Sequence, residues 1–290
     1  MTVQPSSRFV VVTGASTGIG AGCAIGCAQQ GMTVFAGLRD LTAGEALQAK
    51  RGVAIIPLQL DVTDGESIKR AAETVGLHVG GTGLGGLVNN AGISIGSPLE
   101  VIPLAQLRKQ LEVNVIGQIA VTQAFLPLLR RARGRIVNMG SIAGRGTIPM
   151  MGPYSASKFA LEALTDALRL ELYPWDIEVS IIEPGAIATP IWEKSLSHAS
   201  YIEKEVAGEG RLLYEKAARQ VKEAVYEASQ RAIPVDAVVK AVLHALTARR
   251  PKTRYLVGTD AKIRAIMAKW LPDRMQDWIL KKLLKLPSRA

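Results

Sequence analysis

Short, almost wholly apolar runs recur along the chain between longer segments of helical character, and this alternation limits the fold more than any other feature. Strands that are covered on both faces have this pattern, whereas strands with one face in water alternate apolar and polar residues. We therefore predict buried strands over 8–13, 32–38, 53–60, 85–90, 135–140, 177–182 and, from a weaker pattern, 254–257.

Strand and helix in regular alternation predict right-handed crossovers and a parallel sheet with helices on both faces. We expect an α/β protein, with a single Rossmann-type, doubly wound domain of about seven parallel strands over residues 1–290. Two segments fall outside the alternation: 190–232, which we expect to form a lid over the substrate, and 260–290, a basic amphipathic tail. The other helices are predicted over 18–30, 41–49, 64–75, 103–131, 154–173 and 234–247.

The chain is strongly basic, with a net charge of +10, which suits an anionic partner such as a phosphate-bearing cofactor, an acidic membrane or a nucleic acid. We expect no nucleic-acid partner, because the sequence has no known binding module. The first residues lack a charged region before an apolar run, so we expect no secretory signal and a cytoplasmic location, with membrane association as the alternative. Cys23 and Cys27 have no further ligands nearby, so we expect a buried pair and no metal site.

The stretch TGASTGIG, at 13–20, joins the first predicted strand to the first predicted helix. Glycines allow the backbone to turn tightly and a ligand to approach closely. The helix then presents free backbone amides and the positive end of its dipole to a pyrophosphate. The stretch therefore predicts a dinucleotide-binding turn, with the candidate residues Gly14, Ser16, Thr17, Gly18, Ile19 and Gly20.

The end of the second predicted strand distinguishes the two nicotinamide dinucleotides. An acidic residue about twenty positions beyond the glycines binds the ribose hydroxyl of NAD, but Leu38 stands there. Arg39 follows it and has the planar guanidinium that pairs with a 2′-phosphate. We predict that Leu38 and Arg39 favour NADP(H), with NAD(H) as the alternative, because the charge of Asp40 competes for Arg39.

The stretch YSASK, at 154–158, places Tyr154 and Lys158 one helical turn apart on the same face. A phenol is a poor base at neutral pH, since its ordinary pKa is about 10. A neighbouring cation favours the phenolate, so we expect Lys158 to lower the pKa of Tyr154. A lowering by ~3 units takes about 4 kcal/mol, which an exposed ion pair does not supply, so the site should be shielded from water.

In combination these motifs resemble those of the short-chain dehydrogenase/reductase family, over residues 8–190, and most of all those of its hydroxysteroid and retinol dehydrogenase branch. The resemblance implies that Tyr154 is the general acid/base and that Lys158 also bonds the nicotinamide ribose. It implies that Ser141 orients the substrate oxygen and that Asn114 holds a water in a proton relay to Lys158.

The resemblance also implies further contacts with the cofactor. DVTD (61–64) is similar to the adenine-contacting stretch of the family, NNAG (89–92) to its central-strand motif and PGAIATP (184–190) to the segment beside the nicotinamide. A helix N-cap is the competing role for the threonine of the last motif. The implied residues are Asp61, Val62, Asn89, Ala91, Gly92, Pro184, Gly185, Ile187 and Thr189.

Together these features predict an NADP(H)-preferring oxidoreductase that interconverts an alcohol and a ketone or aldehyde on a lipophilic, steroid-like or retinoid-like substrate. The apolar residues of 190–232 favour that substrate class. The alternatives are a reductase of 3-oxoacyl thioesters or small carbonyls, and a non-catalytic NADP sensor. Segments 103–131 and 154–173 are those through which the family forms homodimers and homotetramers, and the tail 260–290 is a candidate for peripheral membrane contact.

Overall fold

Seven parallel strands form one sheet, in the order β3-β2-β1-β4-β5-β6-β7. The computed structural model describes residues 7–48, 54–193 and 209–286. All seven predicted strands are confirmed. They are β1 (Phe9–Val12), β2 (Thr33–Leu38), β3 (Ile55–Gln59), β4 (Gly86–Asn89), β5 (Arg135–Met139), β6 (Glu178–Pro184) and β7 (Arg254–Val257).

The direction in which the chain crosses the sheet reverses between β3 and β4. From β1 the chain proceeds outward through β2 to β3, and then it returns to place β4 on the other side of β1. In open α/β sheets ligands bind beyond the carboxyl ends of the strands at such a switch point. The loops after β1, β4, β5 and β6 therefore border the expected site.

Helices cover both faces of the sheet. One buried cluster, which contains Cys23 and Cys27, lies on the face that carries the first helix, and a second cluster around Phe125 lies on the opposite face. Both cysteines are completely buried in the first cluster, as predicted, and this burial raises the pKa of the Cys27 thiol to about 12. The helices are α1 (Gly18–Gln29), α2 (Thr42–Gln48), α3 (Gly65–Val79), α4 (Leu104–Leu111), α5 (Gly117–Ala132), α6 (Gly152–Glu171), α7 (Glu209–Gln230), α8 (Asp236–Thr247), α9 (Thr259–Trp270) and α10 (Asp273–Leu283).

The predicted helix 103–131 contains one π-helical turn, Glu112–Ile116, between α4 and α5. Such turns insert a residue into the helix and often mark functional sites. Within the described ranges, Leu104–Ala132 is the one helix that is long and apolar enough to cross a membrane. Its side chains Val121 and Phe125 are completely buried against the sheet, which is typical of a core helix.

The two segments outside the alternation are helical, as expected. Residues 209–230 form α7, whereas 194–208 of the predicted lid lie outside the described residues. The tail forms two helices, α9 and α10, because Pro272 holds the preceding Leu271 in extended backbone and so ends α9.

Candidate active site

The turn between β1 and α1 has the backbone geometry that its glycines allow. Gly14 and Gly18 have φ angles of 62° and 58°, in the left-handed region that favours glycine. A Cβ on Gly20 would lie 2.2 Å from the carbonyl oxygen of Gly14, so only glycine lets α1 begin this close to the turn. Thr17, at the N-cap, makes no side-chain capping bond, and the first amides of α1 are left to a ligand. The hydroxyls of Ser16 and Thr17 are exposed beside these donors, a set that fits a pyrophosphate.

Two residues that the sequence analysis missed tie this turn to the end of β4. The hydroxyl of Thr13 accepts hydrogen bonds from the backbone amides of Asn90 and Ala91, both at 2.9 Å. The side-chain amide of Asn90 donates to the carbonyl oxygens of Thr13 and Gly14, at 3.0 and 3.2 Å. Both residues lie inside the motifs quoted above, but their sequence separation of 77 positions hides the contact. Ile19, by contrast, packs its side chain against the core on the α1 face.

The three candidates in the β4 motif play different parts. The amide of Asn89 is buried and donates to Thr122 Oγ1 at 2.8 Å and to Asn138 Oδ1 at 3.0 Å. This side chain, which we expected at the cofactor, therefore joins β4 to α5 and β5. Ala91 lies against the glycine turn, since a Cβ on Gly14 would be 2.8 Å from its Cα.

Gly92 lies beside the buried amide of Asn114, because a Cβ on Gly92 would be 3.3 Å from Asn114 Oδ1. After β3, Asp61 Oδ1 accepts hydrogen bonds from the amide and hydroxyl of Thr63, at 2.9 and 2.7 Å. Val62 is buried against the start of α5. The expected adenine side of the site thus has a carboxylate whose orientation is already fixed.

At the end of β2 the side chains of Leu38 and Arg39 point to different surroundings. Leu38 is 1% exposed and packs in the core against α2, so its side chain is not the cofactor contact that we expected. Arg39 is exposed, and within the described ranges it forms no ion pair. Asp40 forms no ion pair with Arg39 within these ranges, and its Oδ1 instead accepts a hydrogen bond from the amide of Thr42 at 3.0 Å. Hydrogen bonds from Thr42 also lower the pKa of Asp40.

The predicted catalytic residues Ser141, Tyr154 and Lys158 meet beyond the carboxyl end of β5. The side chain of Ser141 hydrogen-bonds that of Tyr154, and its Oγ accepts from the amide of Ala143 at 3.1 Å. Lys158 Nζ lies 5.7 Å from the centre of the Tyr154 ring and donates to the carbonyl oxygen of Met139 at 2.7 Å. The phenol, the hydroxyl and the ammonium therefore form one site at the end of the central sheet.

Burial determines the protonation of the two ionisable groups in this site. It raises the pKa of Tyr154, and the hydrogen bond from Ser141 lowers that pKa only in part. Burial also lowers the pKa of Lys158 from 10.5 to about 8. Among the protein's own groups, burial outweighs the influence that lowers the pKa of Tyr154, so the lowering that we predicted from Lys158 stays a prediction for the enzyme with its cofactor bound. At neutral pH the site holds a protonated phenol beside an ammonium ion.

Asn114 lies in the π-helical turn and is completely buried. Its Oδ1 accepts from the amide of Ile93 at 2.9 Å, and its Nδ2 donates to the carbonyl oxygen of Ile93 at 3.0 Å and to Ser157 Oγ at 3.1 Å. Ser157 in turn donates to the carbonyl oxygen of Tyr154 at 2.6 Å. Both amide protons are used, so the side chain of Asn114 links the loop after β4 to the first turn of α6. Its predicted role in holding a water for a proton relay stays a prediction.

A distant residue that the sequence analysis missed holds the segment after β6. Asp260, near the start of α9, accepts a hydrogen bond from the amide of Ala186 at 2.7 Å. A Cβ on Gly185 would lie 2.1 Å from this carboxylate, so the contact requires glycine. Thr189 faces the cofactor turn, since a Cβ on Gly18 would lie 3.3 Å from the Thr189 Cβ.

The remaining candidates in this segment have backbone roles. Pro184 ends β6, and Ile187 pairs in a parallel bridge with Ile233, just before α8. The carbonyl oxygen of Ile187 accepts a hydrogen bond from the indole of Trp192 at 2.7 Å and a longer one, at 3.5 Å, from the hydroxyl of Thr189. The threonine hydroxyl therefore lies at the mouth of the glycine turn, and its alternative role as a helix N-cap stays a prediction.

A partly buried ion-pair network, centred on Glu183, lies behind the catalytic residues. The carboxylate of Glu183, on β6, is completely buried and pairs with Arg145, whose Nη2 is 2.9 Å from Glu183 Oε1. Arg254, on β7, contacts Glu183 at 3.5 Å, Asp166 at 2.5 Å and also Glu162. Because Arg145 directly follows the turn that begins at Ser141, this network fixes the far end of that turn.

The described part of the lid reaches the loop after β4. Tyr214, on α7, donates a hydrogen bond to Glu100 Oε2 at 2.6 Å, and this bond raises the pKa of Tyr214. Leu212 and Leu213, on the same helix, are largely exposed, at 70% and 71%. The lid thus presents apolar side chains outside the protein core.

The sequence comparison decides the family. A family model described as short chain dehydrogenase matches residues 8–200. The chain belongs to the short-chain dehydrogenase/reductase family. It is therefore an NAD(P)-dependent oxidoreductase that acts on alcohol or carbonyl groups, as predicted.

Curated relatives match this short-chain dehydrogenase over nearly its whole length. An NADPH-dependent 3-dehydrocapnine reductase from Ornithobacterium rhinotracheale is 37% identical, over 96% of this chain and 98% of the relative. Retinol dehydrogenase 5 from Mus musculus is 36% identical, over 100% and 92% of the two chains. The 17-beta-hydroxysteroid dehydrogenase type 6 from Homo sapiens is also 36% identical, over 98% and 90%. The predicted resemblance to the hydroxysteroid and retinol branch is confirmed.

Solved structures confirm the predicted fold of this short-chain dehydrogenase. A short chain dehydrogenase from Burkholderia cenocepacia, in complex with NADP, superimposes with a TM-score of 0.70 and is 28% identical. The alignment covers 98% of this chain and 100% of that one. The seven-stranded sheet with helices on both faces is thus the Rossmann-type architecture of the family.

Proposed function

We propose that this enzyme uses NADP(H) to interconvert a secondary alcohol and a ketone, or a retinol-type alcohol and its aldehyde, on a lipophilic substrate. The observation that carries the proposal is the meeting of Ser141, Tyr154 and Lys158 beyond β5, in the same parallel sheet whose first strand leads into the glycine turn. In reduction, bound NADPH supplies the hydride to the carbonyl carbon. Tyr154 donates its proton to the carbonyl oxygen, which Ser141 holds by a hydrogen bond, and the product is the alcohol.

The protonation state of Tyr154 suits the reductive direction at neutral pH. Burial raises the pKa of the phenol, so its proton is present when a carbonyl oxygen needs it. Proton transfer leaves a phenolate, which the nearby ammonium of Lys158 stabilises. Oxidation requires the phenolate at the start, so its rate should rise with pH, while the rate of reduction should fall.

The residues after β2 support a preference for NADP(H) over NAD(H). Arg39 is exposed, and the neighbouring carboxylate of Asp40 is engaged by the amide of Thr42. A free guanidinium at this position pairs with a 2′-phosphate. One relative is named as NADPH-dependent, and one structural neighbour was solved with NADP, which agrees with the same preference.

Lys158 and Thr189 are proposed to hold the nicotinamide end of the cofactor. Within the described ranges Lys158 makes one hydrogen bond, to Met139, so two ammonium protons remain for the hydroxyls of a ribose. The hydroxyl of Thr189 lies across the crevice from Gly18 and has only a long bond of its own, so it is available to a carboxamide.

The lid and the relatives support the proposed substrate class. The exposed Leu212 and Leu213 of α7 give the region around the site an apolar surface, which favours a bulky lipophilic substrate. Relatives named as retinol and hydroxysteroid dehydrogenases agree with a retinoid-like or steroid-like substrate. We also propose self-association through segments 103–131 and 154–173, where Ile116, in the π-helical turn, and Phe159, on α6, are half-exposed. The enzyme is proposed to be cytoplasmic, with C-terminal helices that contact a membrane.

A steady-state screen tests the proposed activity. NADPH and NADH oxidation would be measured with steroid ketones, retinal and 3-oxoacyl esters, with Tyr154→Phe as the inactive control. We expect the highest kcat/KM for a steroid ketone or retinal with NADPH. A higher value for 3-oxoacyl esters would overturn the substrate class, and binding of NADPH without oxidation by any carbonyl would instead indicate a cofactor sensor.

A further inference from the structure

Two consecutive helices at the end of the chain present apolar side chains to solvent. Ile263, Ile266 and Trp270 follow one another at positions i, i+3 and i+7 of α9, so they share one helix face. Met275 and Trp278, at i and i+3, share a face of α10. All five are exposed by half or more, with Trp270 at 71% and Trp278 at 55%. We call these five residues the tail face.

A basic rim surrounds the tail face. Two lysines lie directly over its tryptophans, Lys269 with its Nζ 5.0 Å from the Trp270 ring and Lys282 at 4.1 Å from that of Trp278. Residues 259–286 contain seven Lys or Arg residues and three Asp residues. Of these, Arg264 and Asp260 are engaged by the loops on the opposite side of α9, which leaves six basic and two acidic residues. The rim therefore carries a net positive charge around an apolar centre.

The opposite side of α9 is fixed to the catalytic loops. Ala261 and Ala265 are buried against Ile142, the residue that follows Ser141. Arg264 donates to the carbonyl oxygen of Gly146 at 3.5 Å. Whatever binds the tail face is therefore held one helix diameter from the loops that border Tyr154, about 10 Å away.

We propose that the tail face docks this enzyme on the surface of an anionic lipid bilayer, an inference that rests on the proposed function and specifies the residues and the lipid charge of its membrane contact. Exposed tryptophan among lysine is the composition of helices that lie in the membrane interface, where indole rings occupy the headgroup level and the cations meet anionic lipids. A lipophilic substrate dissolved in the bilayer is then supplied next to the site. The positive charge favours an anionic bilayer over a second copy of the same chain. If two copies packed their tail faces together, the basic residues around one face would repel those around the other.

Vesicle sedimentation of the full chain tests the proposal. The vesicles would consist of phosphatidylcholine alone, or of phosphatidylcholine with part of it replaced by phosphatidylserine. We expect the wild type to sediment with the anionic vesicles only. The double variant Lys281→Gln/Lys282→Gln should lower vesicle binding roughly tenfold or more, since each lysine near an anionic surface contributes roughly fivefold in affinity. The double variant Trp270→Ser/Trp278→Ser should lower it by a similar factor, because it removes the indole rings that occupy the headgroup level.

The matched control is Trp175→Ser, which removes an exposed tryptophan from the turn after α6, where it stacks with Arg130. This control should bind vesicles as the wild type does. A wild type that stays in the supernatant, or a loss in the control equal to that in the tail-face variants, overturns the proposal. So does a tail-face variant that changes from dimer to monomer in the absence of lipid, since a second copy would then cover the face.

A second measurement covers the case in which the serine variants do not fold. In the wild type, brominated lipids placed in the anionic vesicles should quench tryptophan fluorescence, and Trp270→Phe/Trp278→Phe should remove most of the quenching. Equal quenching in that conservative variant overturns the proposal. NADPH oxidation is measured in parallel without vesicles, so that failure to bind lipid and failure of the proposed activity are separate results.

Discussion

The ammonium of Lys158 lies 5.7 Å from the ring centre of Tyr154, and a hydrogen bond of 2.7 Å to the carbonyl oxygen of Met139 fixes it there. The lysine is 4% exposed, and burial lowers its pKa to about 8. The buried ammonium of Lys158 therefore lowers the stability of the folded protein. It lies where it can stabilise the phenolate that Tyr154 becomes during proton transfer. Such a cost is typical of active sites.

Lys158→Met should make the protein more stable at neutral pH while it abolishes turnover. The folded-state pKa of Lys158 lies below the unfolded one, so the penalty is fully present below pH 8 and is removed as the pH rises from 8 to 10.5. A shift of this size corresponds to at most about 3 kcal/mol. Thermal unfolding of the wild type and of Lys158→Met at pH 7 and pH 10 measures this penalty. A variant that is less stable than the wild type at pH 7 would contradict the penalty.

Arg39→Ala should lower kcat/KM for NADPH by ~10- to 100-fold and leave the value for NADH nearly unchanged, because one charge-assisted contact with a phosphate is lost. Arg70→Ala, which removes an exposed arginine from α3, is the matched control and should change neither value. An unaltered NADPH/NADH ratio in Arg39→Ala would exclude this residue as the 2′-phosphate contact. Leu38→Asp is a poor test of the same idea, since it would place a carboxylate in the core.

Gly185 and Asp260 should show strong energetic coupling. Gly185→Ala places a methyl group 2.1 Å from the Asp260 carboxylate and should cost ~1–3 kcal/mol of stability and raise the KM for NADPH. In the double variant Gly185→Ala/Asp260→Ala the clash is absent, so the combined loss should be smaller than the sum of the single losses. Chemical denaturation and NADPH titration of all four proteins measure this. Additive losses would show that the two positions do not meet.

The sheet could be predicted from the sequence because its strands are buried on both faces, so that apolar runs mark them without ambiguity. The catalytic set could be predicted because Tyr154 and Lys158 are one helical turn apart, a spacing that any helix converts into proximity. The glycine turn could be predicted for the same reason, because its residues are close together in the sequence. In each case the contact that matters joins residues within a few positions of one another, or within one strand–turn–helix unit.

Long-range contacts and burial could not be predicted in the same way. Asp260 is 74 positions from the amide that it holds, and nothing in its surroundings in the sequence identifies that partner. The side chain of Asn89 lies in a motif associated with the cofactor but bonds inside the sheet. The sign of the Tyr154 pKa shift depends on how much water the folded site excludes, which spacing along a helix does not reveal.

Loss of the phenol proton tests the central claim most directly. Tyr154→Phe keeps the ring and removes the hydroxyl, so NADPH affinity should stay within about threefold while kcat falls by ~100-fold or more, the range of a lost general acid. Tyr173→Phe, which alters an exposed tyrosine in the turn after α6, should leave both quantities unchanged. NADPH binding and single-turnover rates of the three proteins would be compared. A Tyr154→Phe enzyme that binds NADPH and still reduces its substrate at the wild-type rate would contradict the account.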